Sequence, residues 1–360
     1  MPPLPRPGLL DIKPYRGGVS DAPGFDAPIK LSSNENCFGC SPAAITAMQT
    51  VEQKFERYPD GSVQLLREAL AAKHDLDVER IVCGCGSDEL LQLLGKAYLR
   101  DGDEVLLAQH GFLSYKLIAW QNGAVPVMAP ETDMRIEAAA FLAQVTKRTR
   151  MVFLANPNNP TGYLMPGEEV RKLHAGLPED VLLVIDGAYA EFVQDEDYEG
   201  GFALVSQHKN VVATRTFSKS YGLAGLRVGW AYCPGEVAAV LNRVRSPFNV
   251  NAIAQAAALA ALDDTAFLQT CVDHVAKWAP WIEAQVNALG LKAYPSAGNF
   301  VLFGLQSPEA ADALETFLNA RGLILRGMRG FGLPGYLRMT VGTEEENKAV
   351  IAAISAFVQQ

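Results

Sequence analysis

Thr214-Arg215-Thr216-Phe217-Ser218-Lys219-Ser220-Tyr221-Gly222-Leu223-Ala224-Gly225-Leu226-Arg227-Val228-Gly229-Trp230 is the stretch that decides how this chain is read. One lysine, Lys219, stands among small and hydroxylated residues. It lies just past Val211-Val212-Ala213, an apolar run that reads as the end of a buried strand. A lysine in a mostly apolar setting loses part of its preference for the charged form and becomes a usable nucleophile. Such lysines form Schiff bases with carbonyl groups. A plain surface-loop lysine fits the same residues, so the rest of the chain has to decide.

Working outward, short apolar runs alternate with helical patterns. Strands are expected at 81–84, 104–108, 125–128, 151–155, 181–185, 211–214 and 229–232, with helices at 63–73, 113–121 and 167–174 between them. Ser41-Pro42 starts a further helix, and Ser87 or Asp88 is the expected cap of the helix after Gly86. This alternation predicts an α/β fold: a large domain with a mostly parallel sheet flanked by helices. Beyond Asn249-Val250-Asn251, two Ala- and Leu-rich helical segments lead to strands at 299–303, 323–325 and 337–341 and helices at 308–320 and 344–358, a smaller α+β domain. The expected division is an N-terminal arm over 1–36 belonging to the small domain, a large domain over 37–260 and a C-terminal small domain over 261–360.

Composition narrows the function. The chain has 360 residues, 49% of them apolar and 20% charged, which fits a globular protein with a large core. Its net charge of −9 argues against a nucleic-acid surface. No apolar run is long enough for a membrane span, and the proline-rich start lacks a signal-peptide pattern, so the expectation is a cytoplasmic protein without membrane contact. Six cysteines do not make a disulfide framework. Cys37 and Cys40 with Cys83 and Cys85 could suggest zinc, but the CxC spacing is poor for a clamp, and no metal is expected.

The polar residues at strand ends supply what pyridoxal phosphate (PLP) asks of a protein: a lysine, a carboxylate for the pyridine nitrogen, donors for the ring oxygen, and a phosphate cradle. Asp186 ends the run Val181-Leu182-Leu183-Val184-Ile185, where a charge needs a partner such as a protonated pyridine. A helix cap or metal ligand fits Asp186 as well. Tyr189 lies three residues on. Asn159 sits in Asn156-Pro157-Asn158-Asn159-Pro160-Thr161-Gly162, which also reads as a plain turn. Ser218, Arg227 and the Gly86-Ser87-Asp88 helix start suit phosphate oxygens.

Together these groups resemble the fold-type I PLP-dependent aminotransferases, and most closely the histidinol-phosphate aminotransferase family. The resemblance rests on Leu31-Ser32-Ser33-Asn34-Glu35-Asn36, Tyr58-Pro59-Asp60-Gly61-Ser62, Gly86-Ser87-Asp88-Glu89, residues 156–162, 215–229, Pro247-Phe248-Asn249-Val250-Asn251 and Leu337-Arg338-Met339-Thr340-Val341-Gly342-Thr343, all in the family's order. It implies PLP as cofactor and transamination of L-histidinol phosphate with 2-oxoglutarate in histidine biosynthesis. By matching position, it makes Lys219 the Schiff-base lysine and proton carrier, Asp186 the partner of the pyridine nitrogen, and Asn159 and Tyr189 donors to the ring oxygen. Ser218, Arg227, Gly86, Ser87 and Asp88 become the phosphate cradle, and Phe112 the aromatic stacked on the ring. Tyr58 is implied to reach the cofactor phosphate of a second copy, hence a homodimer. Arg338, helped by Arg326, Tyr15 and Asn159, is implied to hold the substrate anion. The chain departs from the family at Gly187, Cys37, Cys40, Cys85 and His110. Aromatic amino acid aminotransferases and threonine-phosphate decarboxylases keep the same cofactor shell and stand as alternatives. A PLP-fold DNA-binding regulator is disfavoured, because residues 1–36 are too short and not basic.

Overall fold

The computed structural model describes residues 3–5, 8–12, 17, 20–51 and 56–360. The expected site residue Tyr15 lies outside the described residues.

The chain enters through β1 (Ile29–Lys30), followed by α1 (Pro42–Thr50) and α2 (Gln64–His74). Ser41 caps α1 by accepting from the Ala44 N–H, with Pro42 at the first helical position, as the sequence predicts. Then β2 (Ile81–Gly84), α3 (Ser87–Tyr98), β3 (Glu104–Ala108), α4 (Leu113–Gln121), β4 (Val125–Ala129), α5 (Ala138–Leu142), β5 (Thr149–Ala155), α6 (Gly167–Gly176) and β6 (Leu182–Asp186) alternate. They are followed by α7 (Phe202–Gln207), β7 (Val211–Thr216), β8 (Gly229–Tyr232) and α8 (Gly235–Val244).

These strands form one seven-stranded sheet in the order β2-β8-β7-β6-β5-β3-β4. The pairs β3–β4, β3–β5, β5–β6 and β6–β7 are parallel, and only β8 runs antiparallel to its neighbours β2 and β7. Side chains alternate across the sheet with the period of two that strands impose. Leu106, Val152, Leu183 and Val211 enter one core with residues of α2, α6 and the later helix α9 (Ala252–Asp263). Leu107, Phe153, Val184 and Val212 enter the other, with α3, α4 and α8. Both faces are therefore dry, which is why these strands read as unbroken apolar runs. The α/β architecture expected from the alternation is the one observed.

The remainder comprises α10 (Thr265–Ala288), β9 (Lys292–Ala293), β10 (Phe300–Gly304), α11 (Pro308–Asn319), β11 (Leu323–Ile324), β12 (Arg326–Gly327), β13 (Tyr336–Thr340) and α12 (Glu344–Val358). The order β12-β13-β10-β9 makes a four-stranded antiparallel sheet. Leu31, Trp278, Ile282, Val301, Leu337 and Ile354 are among the residues of its core. β1 pairs in parallel with β11, so the early chain is anchored to the late chain. Thr343 and Glu346 form a reciprocal capping box at the start of α12.

One expected strand divides. The run 323–325 supplies only β11, and the chain then turns at buried Leu325 to place Arg326 in a different sheet. A second difference is at α3, whose N-cap is Gly86 and not Ser87 or Asp88; no side chain caps it. Gly86 has φ +82, and a Cβ built there would lie 2.4 Å from Arg227 Nη2, so only glycine fits.

Candidate active site

The main cleft lies at the carboxyl ends of the parallel strands, where open α/β sheets hold ligands. Ala155, Asp186 and Thr216, which end β5, β6 and β7, form its floor. Its cavity volume is about 240 Å³. Ser87, Asp88, Phe112, Asn159, Tyr189, Ser218, Lys219, Arg227, Arg326 and Arg338 line it as well. Residues spread over most of the sequence thus converge on one cavity. Gly86 stands directly behind it, against Arg227.

Lys219 follows β7 on a turn, and its Nζ donates to the Ser33 carbonyl at 3.1 Å. Burial chiefly, then the guanidinium of Arg338, lowers its pKa from 10.5 to about 8. The amine is therefore a far better nucleophile near neutrality than an ordinary lysine. It lies 5.9 Å from the centre of the Tyr189 ring.

Asp186 is 5% exposed. Tyr115 donates to its Oδ2 at 2.8 Å and Thr214 to its Oδ1 at 3.1 Å. Burial pushes the carboxyl up, while these two hydroxyls and the charge of Arg215 hold it down. A buried acid with hydroxyl partners only is one that a ligand cation would settle. Tyr115 and Thr214 were missed in the sequence. Tyr115 is one helical turn beyond Phe112, but Thr214 meets Asp186 only through the parallel register of β6 and β7.

The anion cradle is built from backbone and side chains together. The first-turn N–H groups of α3 have no intrahelical acceptors, and no side chain caps them. Arg227 has φ 57, a left-handed conformation that a non-glycine residue adopts only where its surroundings enforce it. Its Nη1 donates to Ala224 O at 2.8 Å and to Ser218 Oγ at 3.3 Å. Thr216 Oγ1 in turn donates to Ser218 Oγ.

On the opposite wall, Arg338 lies over the Phe300 ring, 5.2 Å from its centre, and donates to Ser32 O at 3.1 Å and to Asn159 Oδ1. With its oxygen engaged there, the Asn159 amide has its NH2 group as donor for the cleft. Asn34 Nδ2 donates to the Tyr189 hydroxyl at 2.8 Å, which orients the phenol. Arg326 stands directly opposite Arg338 in the β12–β13 pairing. Phe112 meets Tyr115 edge-on, with ring centres 5.6 Å apart.

Tyr58 is not brought to the cleft. It is 81% exposed and stacks on Phe248 with ring centres 4.5 Å apart. The six cysteines are free thiols, and among the described residues no three potential metal ligands gather. No helix among the described residues is long and apolar enough to cross a membrane.

Residues 26–354 match the family described as aminotransferase class I and II. The chain belongs to that family. The aminotransferase is 53% identical over 358 residues to a protein of Paramagnetospirillum magneticum named histidinol-phosphate aminotransferase, the match covering 99% of each chain. It is 51% identical over 360 residues to one of the same name from Maricaulis maris, again covering 99% of each. The crystal structure of histidinol-phosphate aminotransferase from Sinorhizobium meliloti in complex with pyridoxal-5'-phosphate superposes with a TM-score of 0.90 at 28% identity, covering 98% of this chain and 97% of that one. The aminotransferase thus has the fold-type I architecture of that protein.

Proposed function

We propose that this aminotransferase transfers the amino group of L-histidinol phosphate to 2-oxoglutarate, with pyridoxal phosphate as cofactor, as a step of L-histidine biosynthesis. The names of relatives at half identity over the full length support the reading.

The cleft's own chemistry fits the cofactor. Lys219 offers a partly neutral amine, Asp186 a buried carboxylate for a ring N–H, and Tyr189 and Asn159 donors at the ring's other side. Ser218, Arg227 and the uncapped start of α3 offer donors to a phosphate, in a space that a Cβ at Gly86 would disturb. When bound, pyridoxal phosphate supplies an electron-poor ring that accepts the electrons released as substrate Cα loses its proton. Lys219 would take and return that proton, Asp186 would pair with the ring nitrogen, and Phe112 would cover the ring.

The observation that carries the substrate assignment is the cross-strand pair Arg326 and Arg338. Both line the cleft, so an anionic group entering there would meet two guanidinium groups on one wall. A phosphate dianion uses both forks; a single amino-acid carboxylate is satisfied by one. Burial pushes the Glu315 carboxyl up, while the guanidinium of Arg326 nearby draws it down. Arg326→Ala should raise KM for histidinol phosphate by roughly tenfold or more and KM for phenylalanine by less than about threefold. Equal changes for both substrates contradict the assignment.

The exposed Tyr58–Phe248 stack is apolar surface that a second copy would cover, which supports a homodimer in which Tyr58 reaches the cofactor phosphate of that copy.

A further inference from the structure

Lys219 and Tyr189 sit on separate turns, and a contact outside the cleft joins those turns. The residue after Lys219, Ser220, is fully buried, at 0% exposure. Its hydroxyl donates to Glu191 Oε2 at 3.2 Å, and its carbonyl accepts from Asn36 Nδ2 at 2.9 Å. Glu191 belongs to the single 3-10 turn Ala190–Phe192 that follows Tyr189. It faces away from the cleft, towards a hollow shared with His74, Tyr198, Glu199 and Arg215. Burial pushes its carboxyl up, while Arg215 from β7, the Ser220 hydroxyl and Lys73 from α2 draw it down. The phenols of Tyr198 and Tyr221 also feel its charge.

We propose that Glu191 is a positioning residue: by accepting the buried Ser220 hydroxyl, it locks the turn bearing Lys219 to the turn bearing Tyr189 and so fixes the amine against the phenol. The inference rests on the proposed use of Lys219 as the cofactor-binding amine. Without Glu191, the Ser220 hydroxyl loses this acceptor and the tie between the two turns is cut, so the turn bearing Lys219 is held less firmly. A displacement of about 1 Å at a reacting amine is enough to slow a reaction by about a hundredfold, so partial loss of the lock should register clearly.

The test uses apoprotein mixed with pyridoxal phosphate across a pH series, trapped with borohydride, and assayed by mass for the adduct at Lys219. Glu191→Ala and Ser220→Ala should each slow trapping by roughly tenfold, and the double variant should be no slower than either single one. Glu191→Gln retains an acceptor and should recover to within about threefold of wild type. In turnover, kcat should fall while KM for histidinol phosphate is kept. Single effects that multiply in the double variant, a Gln variant as slow as Ala, or unchanged trapping would each overturn the proposal. If Glu191→Ala does not fold, Ser220→Ala and Glu191→Gln decide it. A wild-type protein that traps no cofactor at Lys219 overturns the proposed function itself, a separate outcome.

Discussion

Lys219 draws its reactivity from where β7 ends. The turn removes the amine from water and places it near Arg338 and Arg227, and both effects favour the neutral form. Because the folded pKa lies near 8, the neutral fraction falls by about tenfold for each pH unit below that value. Capture of pyridoxal phosphate by apoprotein should therefore quicken with pH and level off above a midpoint near 8. A midpoint near 10.5, the ordinary lysine value, would mean that the amine is solvated. Lys219 and Asp186 are legible in the sequence because each follows an apolar run that cannot hold a charge idly. Tyr115 and Thr214 are not, since their bonds to Asp186 depend on the rotation of α4 and the register of β6 against β7. Neither quantity is written in local pattern.

At the scale of elements, α3 acts as an anion cradle only because glycine occupies its N-cap. Gly86→Ala would strain a backbone held at φ +82 and push the guanidinium end of Arg227 out of its place in the cradle. Cofactor affinity, measured by absorbance titration, should fall by roughly ten- to a hundredfold, as expected for losing a charge-assisted bond to phosphate. An unchanged affinity would remove Arg227 from the cradle. The strands of the central sheet are readable because both of its faces are buried, so their apolar runs stand out. The division of 323–327 into β11 and β12 is not, because nothing local marks Leu325 as the point where the chain changes sheets. That division sets Arg326 across from Arg338, so the feature that bears on the substrate is one that appears only in three dimensions.

For the whole molecule, the early strand β1 is anchored to β11, and Asn34 and Ser33 come from the same early segment to touch Tyr189 and Lys219. Both ends of the chain thereby contribute to one cleft. Tyr58 is the residue left outside it, and it makes sense in an assembly of two. Light scattering should give twice the chain mass. Tyr58→Ala should weaken cofactor binding by several-fold to roughly tenfold while leaving the spectrum of bound cofactor unchanged. A monomer with full cofactor affinity would contradict the shared site. The central claim concerns the substrate, and the most direct measurement compares kcat/KM for L-histidinol phosphate and L-phenylalanine, each with 2-oxoglutarate as acceptor. Two opposed guanidinium groups predict a preference for the phosphate ester of roughly tenfold or more. Faster turnover of phenylalanine would contradict the account.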